Sequence, residues 1–411
     1  YDSELIVKGS ISVQGTEAEP VTFTTSETVG RAGQWGGVKL EGNSASGVFK
    51  HAVVEYGSYG IYFSGIRDRS VKIEESVIRY NSDYAIRGGR TSNGDNSYRA
   101  SISVINSQIV DNYRQGIYGD GGYEKWEITG CKILRNGEYG VHLKESYSEV
   151  IKDSDVKENK YGAQVGHNSG ESDTKRIITG NEISENKSWG LYLNAFHRGN
   201  DNNLEQISNN KINSNGGYGV QVSWSRHYAK MEVKNNEIKN NKGDGFGFHE
   251  TLDNELVFQG NTIENNEGHG AYFSRIYGNV LIQDNVIKKN YYSGLYVGKQ
   301  ENDRSTEIVI KNNVVSGNKI NNETRDENGI TLHYQSSATA QITGNTVEDG
   351  GGYGIRVENN STLTSAQVEG NTVKGNSKTG LRVYGRLLPS VKGNTFDGNG
   401  NGLELIYTDL N

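Results

Sequence analysis

One phrase recurs along this chain and limits what it can fold into. From Arg176 it reads Arg-Ile-Ile-Thr-Gly-Asn-Glu-Ile-Ser-Glu-Asn-Lys-Ser-Trp-Gly-Leu-Tyr-Leu, and it returns around Asn210, Asn236, Asn261 and Asn285. Its skeleton is an apolar residue, two spacers, Asn, one spacer, an apolar residue, two spacers and Asn. A Gly and an apolar-x-apolar piece follow after a short gap. Successive first Asn residues are 29, 26, 25 and 24 positions apart. Self-similarity at that period means stacked supersecondary units, each too small to bury its own apolar face.

The unit predicts strands. Leu191-Tyr192-Leu193 and Phe246-Gly247-Phe248 have period two, and no segment sustains a helical period. Asn suits a corner because it tolerates left-handed backbone and bonds nearby main chain. Gly before each last strand fits a tight turn. The predicted fold is all-β: a single right-handed parallel β-helix, a solenoid of about 14 coils. Coils about 4.8 Å apart would stack Asn on Asn into amide ladders. The second-Asn series runs Asn81, Asn112, Asn136, Asn159, Asn186 and onward to Asn399, with Gly350 in one coil. In the first series Ser76, Ser107, Cys131 and Ser154 precede Asn181, so Cys131 is read as a small core residue.

Composition is consistent with this. Only 33% of the 411 residues are apolar and mean hydropathy is −0.71, yet strict periodicity excludes disorder. A net charge of −7 argues against a nucleic-acid partner, which asks for a basic stripe. One Cys allows no intrachain disulfide, and no apolar run is long enough to insert in a membrane. Residues 1–411 are read as one domain, with irregular coils over 1–47 and regular repeats over 48–411. The strand-like start at Leu5-Ile6-Val7 suggests a monomeric domain within a larger surface chain, extracellular or at the cell surface.

A resemblance adds to this. Gly-Thr-Glu-Ala-Glu-Pro-Val-Thr-Phe-Thr from Gly15, then Trp-Gly-Gly-Val from Trp35, resembles the opening coils of secreted, surface-attached β-helix proteins. The later Gly-Asn-x-Ile-x-x-Asn units are similar to repeats of the pectate-lyase-like superfamily. That resemblance covers nearly the whole chain. It implies a parallel β-helix and a polysaccharide as partner, and leaves open lyases, hydrolases, epimerases and adhesins.

The Gly-led strand points its middle residue outward. Down the stack these are Tyr62, Arg87, Tyr118, His142, Gln164, Tyr192, Gln221, Gly247, Tyr272, Tyr296, Thr331, Arg356, Arg382 and Glu404. Just past the strand come His197, Arg198, Trp224, Arg226, His227, His249, Glu250, Arg275, Tyr277, Lys299, His333 and Tyr334. Of eight His, only His51 and His269 lie off this seam in the sequence reading. Tyr and Trp offer sugar rings an apolar face, and their polar tips suit hydroxyls and carboxylates. The expected substrate-binding set is His142, Tyr192, His197, Arg198, Trp224, Glu250, Tyr277, Tyr296, Lys299, His333 and Tyr334, on a carbohydrate-binding surface centred between Tyr192 and Tyr334. Stacked aromatics that only stiffen an exposed sheet are the plainer alternative.

Hydrolysis asks for two carboxylates about 5–9.5 Å apart. Glu145 and Glu250 are four coils apart in the reading, about 19 Å at strand spacing, which argues against a hydrolase. The alternative to binding is a lyase or C5-epimerase acting on a uronic-acid polymer. Arg226 or Arg275 would neutralise the sugar carboxylate, His227 or His249 would take the C5 proton, and Tyr272 would serve as acid. Gly268-His269-Gly270 echoes a polygalacturonase string but lacks its companions and is read as chance. No cofactor or metal is expected. Acidic loops such as Glu323–Glu327 are read as solvated, with Ca2+ the cation they would take.

Overall fold

The structure is a computed structural model describing residues 3–89, 100–120, 124–167, 175–195, 203–225, 229–249, 255–274, 278–298, 307–318, 328–334, 339–359, 366–385 and 389–407. The chain falls into two compact units, Tyr1–His197 and Arg198–Asn411. Within each unit the strands come in sets of three, and every strand pairs in parallel with its equivalent in the next set. Each unit is a right-handed parallel β-helix with three sheets, and the described residues contain no helix. Among the described residues, strands number sixteen of the first kind and fifteen of each other kind. This differs slightly from the expected number of coils, because the coils before Val48 carry no corner Asn to count.

The first sheet holds the Gly-led strands, such as Tyr84–Gly89 and Ala271–Phe273. The second holds strands like Ser101–Ile105 and Glu255–Gln259. The third holds three-residue strands like Gln108–Val110 and Thr262–Glu264. Alternation buries one face of each. Ile86, Ile117 and Val141 are fully buried in the first unit, as are Phe246, Phe258 and Phe273 in the second. Those three Phe pack at centroid distances of 5.0, 5.4 and 5.6 Å. Burying one such ring contributes about 2–3 kcal/mol.

The corners combine two devices on adjacent residues. The left-handed position is the residue before each ladder Asn: Tyr80, Arg135, Glu158, Asn240 and Lys289 have φ of 56, 54, 57, 56 and 54°. The Asn itself turns inward. In the second unit Nδ2 of Asn215, Asn241 and Asn266 donates to Oδ1 of Asn241, Asn266 and Asn290, each at 2.9 Å. In the first unit Asn81, Asn112 and Asn136 do the same toward Asn112, Asn136 and Asn159 at 2.9, 2.9 and 3.0 Å. The expectation that the ladder Asn supplies the left-handed turn is therefore corrected. Its amide is used for stacking, and its neighbour carries the backbone strain. Gly before the first-sheet strand has a different reason from the one expected. A Cβ on Gly270 would lie 2.4 Å from Ile287 Cγ2 and 2.5 Å from the Gly294 carbonyl, so the slot is closed by packing.

Cys131 occupies the ladder slot of its coil, 1% exposed, and its thiol donates to the Val104 carbonyl at 3.2 Å. The C-terminal strand Asn401–Tyr407 pairs with Thr379–Gly385 and is a further coil.

Candidate functional site

In the first unit the outward residues of the first sheet stand in register. Tyr62 pairs with Arg87, Arg87 with Tyr118, Tyr118 with His142, His142 with Gln164, and Gln164 with Tyr192. A second column, from the residue before each Gly or, in one coil, before Ala85, runs beside it with Tyr59, Tyr84, Gln115, Tyr139, Tyr161 and Trp189. The two columns interleave. Tyr84 lies 4.8 Å from Tyr118, Tyr139 4.2 Å from His142, Tyr139 4.6 Å from Tyr161, Tyr161 4.3 Å from Trp189, and Trp189 5.6 Å from Tyr192. Rings stacked coil on coil turn their faces toward one another and their edges outward. His142 pays for this by being covered: it is 7% exposed, and burial together with Lys144 pushes its imidazole down to about 4. It is neutral at pH 7 and buried under Tyr139 rather than open to a ligand.

In the second unit Gln221, Gly247, Tyr272, Tyr296, Thr331, Arg356, Arg382 and Glu404 form the equivalent column. Gly247 leaves a notch in it. A Cβ there would meet His249 Nε2 at 3.2 Å and Asp244 Oδ2 at 3.8 Å, so an imidazole and a carboxylate line the gap. Tyr272 is the next residue of the column. It stacks on Tyr296 at 4.9 Å and meets His249 at 5.5 Å and His269 at 5.1 Å. Asp244 Oδ1 accepts the His269 backbone N–H at 2.7 Å. A Cβ on Gly268 would come 2.3 Å from that oxygen, which is why Gly268 is Gly.

Burial sets the protonation of this cluster. It raises the Asp244 carboxyl to about 6 and lowers His269 to about 4. It also lowers His249, and it raises Tyr272 with Asp244 adding to the effect. His249 Nε2 is buried and has no hydrogen-bond partner. Near neutral pH the notch thus holds neutral imidazoles beside a protonated phenol, a combination able to take one proton and give another. Among the described residues no group of three His, Cys, Asp or Glu is placed to hold a metal ion.

A family model described as "Right handed beta helix region" matches residues 171–362 and 303–396. The chain belongs to the right-handed β-helix family, of the pectate-lyase-like superfamily. A second model, "Periplasmic copper-binding protein (NosD)", matches residues 8–172 and 74–253. Each model matches twice with overlap, as a repeat does when it can be laid on itself in more than one register. No curated protein matches. Similar solved structures include the periplasmic alginate epimerase AlgG, at 12% identity and TM-score 0.38, covering 88% of this chain and 76% of that one. The mannuronan C-5 epimerase AlgE4 A-module of Azotobacter vinelandii is 13% identical with TM-score 0.36, covering 91% of each chain. PfbA, a surface adhesin of Streptococcus pneumoniae, is 10% identical with TM-score 0.20, covering 90% and 85%. Likeness at these values carries no argument about activity.

For this β-helix protein the expected site divides. His249, Tyr272 and Tyr296 come together in the second unit. His333 lies further along the same sheet, with Nδ1 3.8 Å from Glu358 Oε2. Tyr192 closes the aromatic run of the first unit. Arg226, His227, Arg275, His197, Arg198, Glu250, Tyr277 and Lys299 lie outside the described residues, as do the side chains of Trp224, Tyr334 and Glu145 and the loop Glu323–Glu327. Asp244 and His269 were missed. His269 does not lie off the seam: it packs against Tyr272, Tyr292 and Tyr296 at 5.1, 5.2 and 6.0 Å. The signal was available in the aromatic residues that precede Gly at Tyr59, Tyr139, Tyr161, Trp189, Tyr218 and Tyr353.

Proposed function

We propose that this protein binds a polysaccharide along the outer face of its first sheet, outside the cytoplasm, at the cell surface or in the extracellular or periplasmic space. One observation carries the proposal: five Tyr and three Arg stand among the fourteen outward positions of that sheet from Tyr62 to Glu404, while the third sheet shows Lys, Glu and Thr. Lys239 there stands between Glu237 at 3.4 Å and Glu264 at 4.0 Å, an ordinary solvated ladder. Stacked rings present edges and hydroxyl groups to a ligand, so recognition runs mainly through sugar hydroxyls. The Gly247 notch is where a sugar could seat against Tyr272.

A second reading is favoured by the convergence of Asp244, His249, His269 and Tyr272 on that notch. Seated there, a uronate residue could lose its C5 proton to the His249 imidazole while Tyr272 protonates the departing glycosidic oxygen. Epimerisation needs acid and base on opposite faces of the sugar. His249 and Tyr272, 5.5 Å apart and touching, leave no room for a ring between them. The pair suits elimination.

Affinity electrophoresis against a panel of neutral and acidic polysaccharides, with ultraviolet absorbance followed for unsaturated products, tests both readings. Tyr272→Ala/Tyr296→Ala should weaken binding about 30-fold, from two ring contacts at about 1 kcal/mol each. Unchanged binding by that variant refutes glycan recognition at this face. Absence of unsaturated product from every uronate refutes elimination alone.

A further inference from the structure

The first unit holds a cation that its surroundings do not neutralise. Arg87 sits at the outward position of Tyr84–Gly89, with Tyr62 and Tyr118 as its neighbours in register. Its guanidinium carbon lies 4.9 Å from the Tyr84 ring centroid, 5.2 Å from Tyr62, 5.8 Å from Tyr59 and 5.9 Å from Tyr118. Among the described residues no carboxylate is within ion-pair distance of it, and its Nε is buried without an acceptor. Other cations on first-sheet strands do have acidic partners. Lys39 lies 2.9 Å from Glu41, Lys144 3.7 Å from Asp120, Arg382 3.6 Å from Glu404, and Arg356 pairs with Glu358.

Tyr rings satisfy a guanidinium through its faces and leave its in-plane N–H groups unused. Those N–H groups form a rigid fork that fits the paired oxygens of a carboxylate or sulfate. Rings on several sides also hold the fork still, which reduces the ordering cost of binding.

We infer that Arg87 and the tyrosines around it form a subsite for an anionic substituent, a carboxylate or sulfate, on the sugar chain. The inference rests on the glycan-binding reading above and adds a ligand class to it: acidic polysaccharides. Neutral polymers would bind through the aromatic column without using Arg87.

Dissociation constants for matched polymer pairs test this in wild type, Arg87→Gln and Arg87→Lys. The pairs are polygalacturonate with its full methyl ester, for carboxylate, and dextran sulfate with dextran, for sulfate. Wild type should bind at least one charged polymer ten-fold or more tightly than its neutral counterpart. Arg87→Gln should erase that preference, while Arg87→Lys should keep part of it. Circular dichroism and the urea midpoint check that the variants are folded. A preference that survives in Arg87→Gln, or equal wild-type binding to both members of each pair, overturns the inference and leaves the glycan reading standing. Failure of wild type to bind any polymer overturns both.

Discussion

Replacing Asn266 by Ala tests whether the amide ladder holds the coils together. Asn266 is 1% exposed and makes four ladder bonds. Its Nδ2 donates to Asn290 Oδ1 at 2.9 Å and to the Ile238 carbonyl at 3.1 Å. Its Oδ1 accepts from the Asn241 backbone N–H at 3.1 Å and from Asn241 Nδ2 at 2.9 Å. Ala removes all four but does not strand every partner. Asn290 Oδ1 keeps the Asn266 backbone N–H at 3.1 Å, and Asn241 Nδ2 keeps the Ile212 carbonyl at 3.0 Å. Left without partners are the Asn241 backbone N–H and one Nδ2 hydrogen of Asn241, while the Ile238 carbonyl stays in the strand ladder with Thr262–Glu264. At roughly 1–1.5 kcal/mol for each buried orphan, the loss is about 2–3 kcal/mol.

Urea unfolding followed by circular dichroism reads this loss from the midpoint and slope together, because coils that touch only their neighbours need not unfold in one step. Native-state hydrogen exchange supplies a local measure, since the Asn241 amide should exchange much faster in the variant than in wild type. A destabilisation below about 1 kcal/mol, with that amide still protected, would mean the ladder is a consequence of stacking and not a cause of it.

Asp244→Asn should become steadily more stable relative to wild type as pH rises from about 4 through about 6, by about 3 kcal/mol. The buried Asp244 carboxyl is raised, so its proton-linked stability is present at low pH and lost as it ionises, while Asn retains the acceptor for the His269 N–H. His269 acts with the opposite sign, losing stability as pH falls from 6.5 toward about 4, so only the difference between the two proteins isolates Asp244; a flat difference would contradict its burial. The Cys131 thiol, pushed up to about 11 by burial, should resist iodoacetamide at pH 8 in the folded protein and react fully in urea. Labelling of the folded protein at the rate of a free thiol would displace Cys131 from the core.

The parts of this fold that were legible in the sequence are those that repeat in every coil. An Asn at a fixed place, a Gly and an apolar-x-apolar strand set the turn, the register and the inward face, because each must match the coil above and below. The outward column followed from the same alternation. What escaped depends on one coil's neighbours. Nothing in the types Tyr80, Arg135, Glu158 or Lys289 announces a left-handed backbone; the requirement passes to whichever residue precedes the inward-turning Asn. Glu149 and Arg176 sit in the interior, fully buried and 2% exposed, although Val150 and Ile177 beside them would suit it better by hydropathy. They are register partners following Trp126 in one interior column, and their side chains approach to 3.8 Å. A buried charge is tolerated where the next coil supplies its counter-charge, which single-coil alternation cannot reveal. The notch has the same origin. Asp244 and His269 occupy the place before Gly that Tyr59, Tyr139, Tyr161, Trp189, Tyr218 and Tyr353 fill in other coils. Their chemistry emerges only when Gly247 leaves the adjoining space empty, so the site is defined by a missing side chain in one coil and the polar groups that lean into its place.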